Sequence, residues 1–294
     1  HGHSPSLVEI SPYKCEGPGG EGLAPHAHKV PMPDPYRGPH LGPFAGLRYA
    51  DEVREVLTKI EGSGNRLGAF LAESLIGCGG QVVPAEGFLI AASNIVRAAG
   101  GVTIADEVQV GFGRVGYHFW GFESQSVVPD IVTMGKPMGA GHPLAAVVTT
   151  PEIAAAFARE TDYFNTFGGS PVSAAAGQAV LDVVEREHLL ANVRRSGEHL
   201  INGLRELAAR HALIGDVRGK GLFIAVELVR DRKTKEPARS AAAAVVEHLR
   251  EHGVLTALIG RDRNALKFRP PLVFEKEHAD IALAALDNAL SAVA

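Results

Sequence analysis

Cysteine, tryptophan and methionine are scarce in this chain: its 294 residues include 2 cysteines, 1 tryptophan and 3 methionines. Cys15 and Cys78 are too few to form a disulfide framework or a four-cysteine zinc site. We therefore expect both to be small apolar residues of a protein in a reducing compartment, and we predict a cytoplasmic location.

Long apolar runs and clusters of one charge sign are also missing. No apolar segment approaches the ~18 residues of a membrane-spanning helix, and 29 basic residues are balanced by 33 acidic ones. No basic run with interleaved aromatic residues indicates nucleic acid. The histidine pairs His1/His3 and His26/His28 lie in Gly- and Pro-rich segments without a nearby third ligand. We predict no membrane, nucleic-acid or metal partner.

The first part of the chain has the pattern of an α/β domain. Residues 1–46 are rich in Gly and Pro and are predicted to be mostly irregular. Short β-branched runs then alternate with a helical pattern, which favours a buried, mostly parallel sheet flanked by helices. The predicted strands lie in 67–75, 102–108, 130–136 and 144–150, and the predicted helices in 49–61 and 86–101.

The pattern changes after the segment "FNTFGGSP". Residues 172–210 are predicted to form long helices, because apolar and small residues recur there at helical spacing. The residues of that face are Val193, Gly197, Leu200, Leu204 and Leu207. The remaining predicted elements are strands at 221–229 and 265–272 and helices at 240–253 and 277–294. We predict a smaller α+β domain, with a boundary that gives domains 1–178 and 179–294.

The stretch "ADEVQVGFGRVG" (105–116) matches the dinucleotide-binding pattern G-x-G-x-x-G from Gly111 to Gly116. That site requires a helix directly after the glycines and an acidic residue at the end of the next strand. The following "YHFWGFESQSVVP" is a poor helix, and Asp130 begins the next strand instead of ending it. We predict that the glycines shape a loop and bind no dinucleotide.

The acidic residue before those glycines is more informative. Asp106 ends a strand that is predicted to be buried, where a carboxylate needs a cationic partner. A structural ion pair is one interpretation; the protonated pyridine nitrogen of a cofactor is the other. The second requires a lysine that forms an imine with an aldehyde, and Lys136 follows the next buried strand, before "PMGAGHP". The residues alone leave both interpretations open.

Three ordered blocks carry a resemblance to a known family: "IADEVQVGFGRVG", "PDIVTMGKPMGAGHP" and "TFGGSP". They resemble the class III pyridoxal-phosphate-dependent aminotransferases of the ornithine/4-aminobutyrate type. "LVEISPYKCEGPGG" and "PDPYRG" are similar to the branch that holds alanine–glyoxylate aminotransferase-like enzymes and amino-alcohol-phosphate phospho-lyases. The resemblance implies the fold type I architecture of pyridoxal-phosphate transferases and pyridoxal 5′-phosphate as the cofactor.

The resemblance also implies roles for residues around that cofactor. Lys136 would form the internal aldimine and then move the substrate proton, and Asp106 would pair with the pyridinium nitrogen. Gln109 would donate a hydrogen bond to the phenolic oxygen of the ring. Val108 would pack on one face of the ring, although an ordinary strand valine explains it equally well.

Three further roles follow from the same resemblance. Thr166 would reach the cofactor phosphate of a neighbouring subunit, which implies a homodimer with shared active sites; an incidental threonine in a Gly-rich turn is the alternative. Arg269 would bind a substrate carboxylate. Glu73 would neutralise Arg269 when the second substrate has no α-carboxylate. Ser74 departs from the proline that usually follows the glutamate, and Arg269 could also be a plain surface residue.

The family's phosphate loop and ring-stacking aromatic residue are expected upstream of His1, so the sequence resembles the C-terminal part of a longer chain. The implied function is transfer of an amino group from an amino acid or amine to a 2-oxo acid or aldehyde. One alternative is a phospho-lyase that eliminates phosphate from an amino-alcohol phosphate with the same cofactor. The other alternative is a catalytically incomplete fragment or a non-catalytic partner.

Overall fold

The computed structural model describes residues 3–293, so His1 of the first histidine pair lies outside the described residues. The chain divides into two compact units that are interleaved in sequence. The first contains the chain through Ser74, Pro84–Gln109 and Gln125–Leu181; the second contains Leu75–Val83, Val110–Ser124 and the chain from Asp182 onward. The domain boundary that we drew after residue 178 stays a prediction.

Within residues 3–293 the helices are α1 (Pro5–Ile10), α2 (Pro12–Cys15), α3 (Ala45–Gly62), α4 (Phe88–Ala98), α5 (Pro151–Glu160), α6 (Pro171–Arg186), α7 (Leu189–Arg210), α8 (Arg239–Glu251) and α9 (Lys276–Val293). The strands there are β1 (Ala69–Glu73), β2 (Val102–Asp106), β3 (Ile131–Met134), β4 (Ala146–Thr149), β5 (Ile214–Lys220), β6 (Phe223–Asp231), β7 (Glu236–Pro237), β8 (Leu258–Ile259) and β9 (Ala265–Phe268).

The first unit contains a sheet of order β1-β2-β3-β4. β1 pairs with β2 in parallel, β2 pairs with β3 in parallel, and β4 runs antiparallel to β3. Helix α4 connects β1 to β2. Gly100, whose φ of 79° lies in the left-handed region, follows the end of this helix. Tyr49 of α3 and Phe88 and Val96 of α4 are buried in one apolar core.

The second unit contains an antiparallel sheet of order β5-β6-β9-β8, with the short β7 beside β6. Helices α7, α8 and α9 share a core with this sheet, and the predicted apolar face of α7 is buried in full. β6 is buried from Phe223 to Val229. All of these residues are apolar except Glu227, as expected for a strand with both faces covered.

Several elements were absent from the sequence-based assignment, namely α1, α2, α5, β5, β7 and β8. β5 contains two glycines and two basic residues, which disfavour a strand, and it is extended because it pairs with β6 along its length. The sequence does contain a signal for the start of α5. Thr150 caps the helix by accepting a hydrogen bond from the Ile153 N–H, and Pro151 is its first residue.

The glycine-rich match at 111–116 forms a loop in the second unit. Gly113 and Gly116 have φ of 82° and 76°, which side chains rarely tolerate. A Cβ at Gly116 would lie 2.8 Å from the main-chain nitrogen of Arg194 on α7. The chain continues into turns and a 3-10 segment, Gly121–Gln125, where a dinucleotide site would need a helix.

Gly197 allows helix α7 to pack closely against the main chain at Gly221 in the second unit. A Cβ there would lie 2.3 Å from the carbonyl oxygen of Gly221. We expect Gly197→Ala to lower the free energy of unfolding by about 1–3 kcal/mol through overpacking. Gly62→Ala is the matched control, because a Cβ at Gly62 meets nothing within 4 Å; we expect a gain of up to about 1 kcal/mol from helix propensity. Equal urea midpoints for the two variants would contradict the prediction.

Candidate active site

The ends of three neighbouring strands in the first unit bring polar side chains to one edge of the sheet. Glu73 is paired with Asp106, and Asp106 is paired with Thr133, in the parallel registers of β1, β2 and β3. Ligands of open α/β sheets bind outside the carboxyl ends of the strands. This edge is therefore the candidate active site, and Val108, Gln109 and Lys136 follow directly after the same strands.

Asp106 is buried, with 9% of its surface exposed. Burial raises the pKa of its carboxyl, whereas a hydrogen bond from the Val108 N–H and the positive charge of Lys136 lower it; the net direction is upward. The Val108 nitrogen lies 3.0 Å from Oδ1 of Asp106. The site thus holds a carboxylate that a cation placed beside it would stabilise.

Lys136 follows β3 and begins a short 3-10 segment, Lys136–Gly139, with Pro137 as its second residue. Its side chain is exposed and lines a cavity of about 1270 Å³ within the first unit. Val108 and Thr133 line the same cavity. An accessible amine beside a buried carboxylate is the donor set that the sequence predicted.

Gln109 and Glu73 meet across the ends of β2 and β1. The amide Nε2 of Gln109 donates to Oε1 of Glu73 over 3.5 Å, the limit of a hydrogen bond. The glutamine donor therefore faces the same edge of the sheet as Asp106.

Two predicted residues belong to other segments of the chain. Thr166 lies in the loop between α5 and α6, where residues 161–169 are exposed. Arg269 follows β9 in the second unit and is half-buried. The structure thus brings together Glu73, Asp106, Val108, Gln109 and Lys136, and it describes Thr166 and Arg269 in their own segments.

Sequence reasoning missed a buried pair at the strand ends. The Ser74 hydroxyl donates to Oε1 of Glu107, and both residues are at most 1% exposed. Ser74 is the residue at which the chain departs from the family's usual proline, which carries no hydroxyl. The available signal was a polar residue directly after each of two strands, Ser74 after β1 and Glu107 after β2.

Thr133 was also missed. Its hydroxyl oxygen is buried and has no hydrogen-bond partner within residues 3–293. A buried hydroxyl without a partner is costly unless a ligand or water satisfies it. The signal in the sequence was a threonine three residues before the lysine, on a strand of otherwise apolar residues.

Residues 3–293 contain neither a membrane-spanning helix nor a cluster of metal ligands. No helix in that range is long and apolar enough to cross a lipid bilayer. No group of three or more His, Cys, Asp or Glu side chains there could hold a metal ion.

Comparison with known proteins identifies the family. The family profile described as "Aminotransferase class-III" matches residues 2–290. The Drosophila melanogaster protein named alanine–glyoxylate aminotransferase 2-like is 48% identical over 300 residues, which cover 100% of this chain and 61% of that protein. The chain belongs to the class III aminotransferases, and it spans about three fifths of the length of this relative.

Solved structures give the same result for the fold. A phospholyase from Arthrobacter in complex with phosphoethanolamine is 38% identical, with a TM-score of 0.92 over 99% of this chain and 68% of that one. An amine transaminase from an uncultivated Pseudomonas species, in its PLP-bound form, is 30% identical, with a TM-score of 0.90 over 100% and 68% of the two chains. The predictions of the family, of the fold type I architecture and of pyridoxal phosphate as the cofactor are confirmed.

The residues at the strand ends fit this cofactor. Asp106 has the buried carboxylate that a protonated ring nitrogen complements, and Lys136 has an amine at the cavity. The buried Thr133 hydroxyl, which has no partner within residues 3–293, is a further group that a polar ligand would satisfy. Val108, 5% exposed overall, supplies an apolar wall of the cavity.

The buried carboxyl generates a prediction about stability and pH. Because the pKa of Asp106 is raised in the folded protein, the unfolded chain loses this proton first as the pH rises, and folding is then penalised. The penalty develops from about pH 4 upward, where an unfolded aspartate titrates. We expect Asp106→Asn to raise the urea midpoint of the cofactor-free protein at pH 7, with a difference that shrinks as the pH falls to about 4.

Asp130→Asn is the matched control with the opposite sign. Burial raises the pKa of Asp130, but hydrogen bonds from Thr103 and Arg97 outweigh it, and the net direction is downward. This carboxylate therefore stabilises the fold at neutral pH and loses its contribution as the pH falls. We expect the control to be less stable than wild type at pH 7. An Asp106→Asn protein that behaves like the control would contradict the prediction.

Proposed function

We propose that this chain is the catalytic part of a pyridoxal-phosphate-dependent aminotransferase, which moves an amino group from an amino acid or amine to a 2-oxo acid or aldehyde. Family membership and the group formed by Asp106, Gln109 and Lys136 at one sheet edge support this proposal. The observation that carries it is the accessible amine of Lys136 beside the buried carboxylate of Asp106.

The bound cofactor supplies an aldehyde that condenses with amines and a pyridinium ring that withdraws electrons from the substrate. Lys136 would hold the cofactor through Nζ, and the same amine would then move the substrate proton. Asp106, with its buried carboxylate, would keep the ring nitrogen protonated. Gln109 would donate its Nε2 hydrogen to the phenolic oxygen, and Val108 would pack on one face of the ring.

The substrate and the neighbouring subunit involve the other predicted residues. Arg269 binds a substrate carboxylate with its planar guanidinium. Glu73 neutralises Arg269 when the second substrate lacks a carboxylate at that position. Thr166 binds the cofactor phosphate of a neighbouring subunit in a homodimer, and its exposure in this chain suits such a role. Cytoplasmic location remains part of the same proposal.

The assignment of Lys136 is tested by covalent trapping. Borohydride treatment of the cofactor-bound protein should leave the cofactor attached to Lys136, as peptide mass mapping would show. We expect Lys136→Ala to lose this adduct and to lose activity by a factor of roughly 10³ or more. Lys59→Ala, at an exposed position on α3, is the control and should retain both. A cofactor adduct of undiminished yield on the Lys136→Ala protein would disprove the assignment.

A phospho-lyase reaction is the second candidate, because the Arthrobacter structure is that of a phospholyase with phosphoethanolamine. The two reactions differ in their need for an acceptor. For an aminotransferase we expect alanine to be converted to pyruvate only when glyoxylate or another 2-oxo acid is added. Phosphate release from phosphoethanolamine without any 2-oxo acid would establish the phospho-lyase instead. If the cofactor-bound protein forms neither product, the other alternative, a catalytically incomplete fragment or a non-catalytic partner, is favoured.

A further inference from the structure

The main chain on both sides of Arg269 accepts hydrogen bonds from two side chains of the second unit. The amide Nε2 of Gln81 lies 3.4 Å from the carbonyl oxygen of Phe268 and donates to it. On the other side, Nη1 of Arg114 donates to the carbonyl oxygen of Pro270. Gln81 is fully buried and also donates to the carbonyl of Ile224 on β6. Arg269 is therefore carried by a peptide segment with little freedom to shift.

Arg114 belongs to the glycine-rich loop, and its own charge is not neutralised. Its guanidinium donates to the carbonyls of Pro270 and Leu222, and no carboxylate within residues 3–293 contributes to its pKa shift. Burial and the nearby charge of Arg269 lower its pKa to about 10. It consequently remains positively charged at neutral pH.

A third cation lies on the same strand end. Lys267 precedes Arg269 by two positions, a spacing that returns to the same face of an extended chain. Burial and the charge of Arg269 lower the pKa of Lys267. Arg114 and Lys267 thus both feel the charge of Arg269, and an anion that reaches Arg269 enters the field of the whole group.

We propose that Arg114 and Lys267 are specificity-determining residues of the substrate-anion subsite at Arg269, which they adapt to a doubly charged anion such as a phosphate monoester. This inference rests on the role proposed above for Arg269 as the substrate-anion ligand. Arg114 acts as a positioning residue: it fixes the Pro270 carbonyl and supplies charge from a half-buried site. Lys267 supplies charge from a half-buried position on β9.

The preference has a simple electrostatic origin. A fixed positive charge attracts a dianion with twice the energy with which it attracts a monoanion at the same place. Arg269 alone satisfies a carboxylate through two parallel hydrogen bonds. The additional charges at 114 and 267 therefore favour phosphate over carboxylate, whichever reaction follows binding.

The test measures the affinity of the intact, cofactor-bound protein for inorganic phosphate and for acetate by calorimetry, without turnover. At about pH 8.5 inorganic phosphate carries close to two charges and acetate one. We expect Arg114→Gln to weaken phosphate binding by about tenfold and acetate binding by about threefold, so that the phosphate-to-acetate ratio falls. Arg114→Lys, which keeps the charge, should restore the ratio. Arg269→Gln should abolish binding of both anions.

The controls separate this inference from structural damage and from the proposed reaction. Arg186→Gln removes an exposed arginine of α6 and should change neither affinity. If the Arg114→Gln protein loses the cofactor absorbance, the phosphate-to-acetate ratio is measured on Lys267→Met instead. This variant removes one charge from a less buried position, and its ratio should also fall. An unchanged phosphate-to-acetate ratio in the folded variant would overturn the inference, as would phosphate binding that survives Arg269→Gln. Neither result depends on whether amino transfer or phosphate release is observed.

Discussion

The parallel register of β1, β2 and β3 is the constraint on which the candidate active site depends. It sets Glu73, Asp106 and Thr133 side by side at one edge of the sheet. Side chains of a strand alternate between its two faces, so a slip of one residue would turn the Asp106 carboxyl to the opposite face. The turns that carry Gln109 and Lys136 start from these strand ends, so their positions depend on the same register.

Much of this site could be predicted from the sequence because its residues follow apolar strands at short spacing. Asp106 ends one such strand and Lys136 follows another, so their common edge needed only the rule for parallel sheets. The bond from Ser74 to Glu107 joins residues 33 positions apart, and the strand pairing that brings them together is not written in either segment. The antiparallel direction of β4 could not be predicted either, because a short apolar run has the same pattern in a parallel and in an antiparallel strand.

The second unit shows how pairing can override local preference. β5 has the composition of a loop and becomes a strand because it pairs with β6 from Ile214 to Lys220, with one irregularity between Ile214 and Asp216. The glycine-rich loop is a related case. Its glycine spacing matches a dinucleotide-binding motif. In the structure, however, Gly116 allows the loop to pack closely against α7, and Arg114 donates to the Pro270 carbonyl. A short pattern acquires its function from the elements that surround it.

The interleaving of the two units has a consequence for how the chain can fold during synthesis. Leu75, Val110 and Val115 emerge early, but the core that buries them also contains Phe223. Phe223 follows Val115 by more than a hundred residues, so the three earlier side chains cannot pack against it until that length has been synthesised. For the same reason, a cut after Leu181 would not release an independent first unit. No single cut of the chain would therefore separate the two units, although each has its own sheet and its own core.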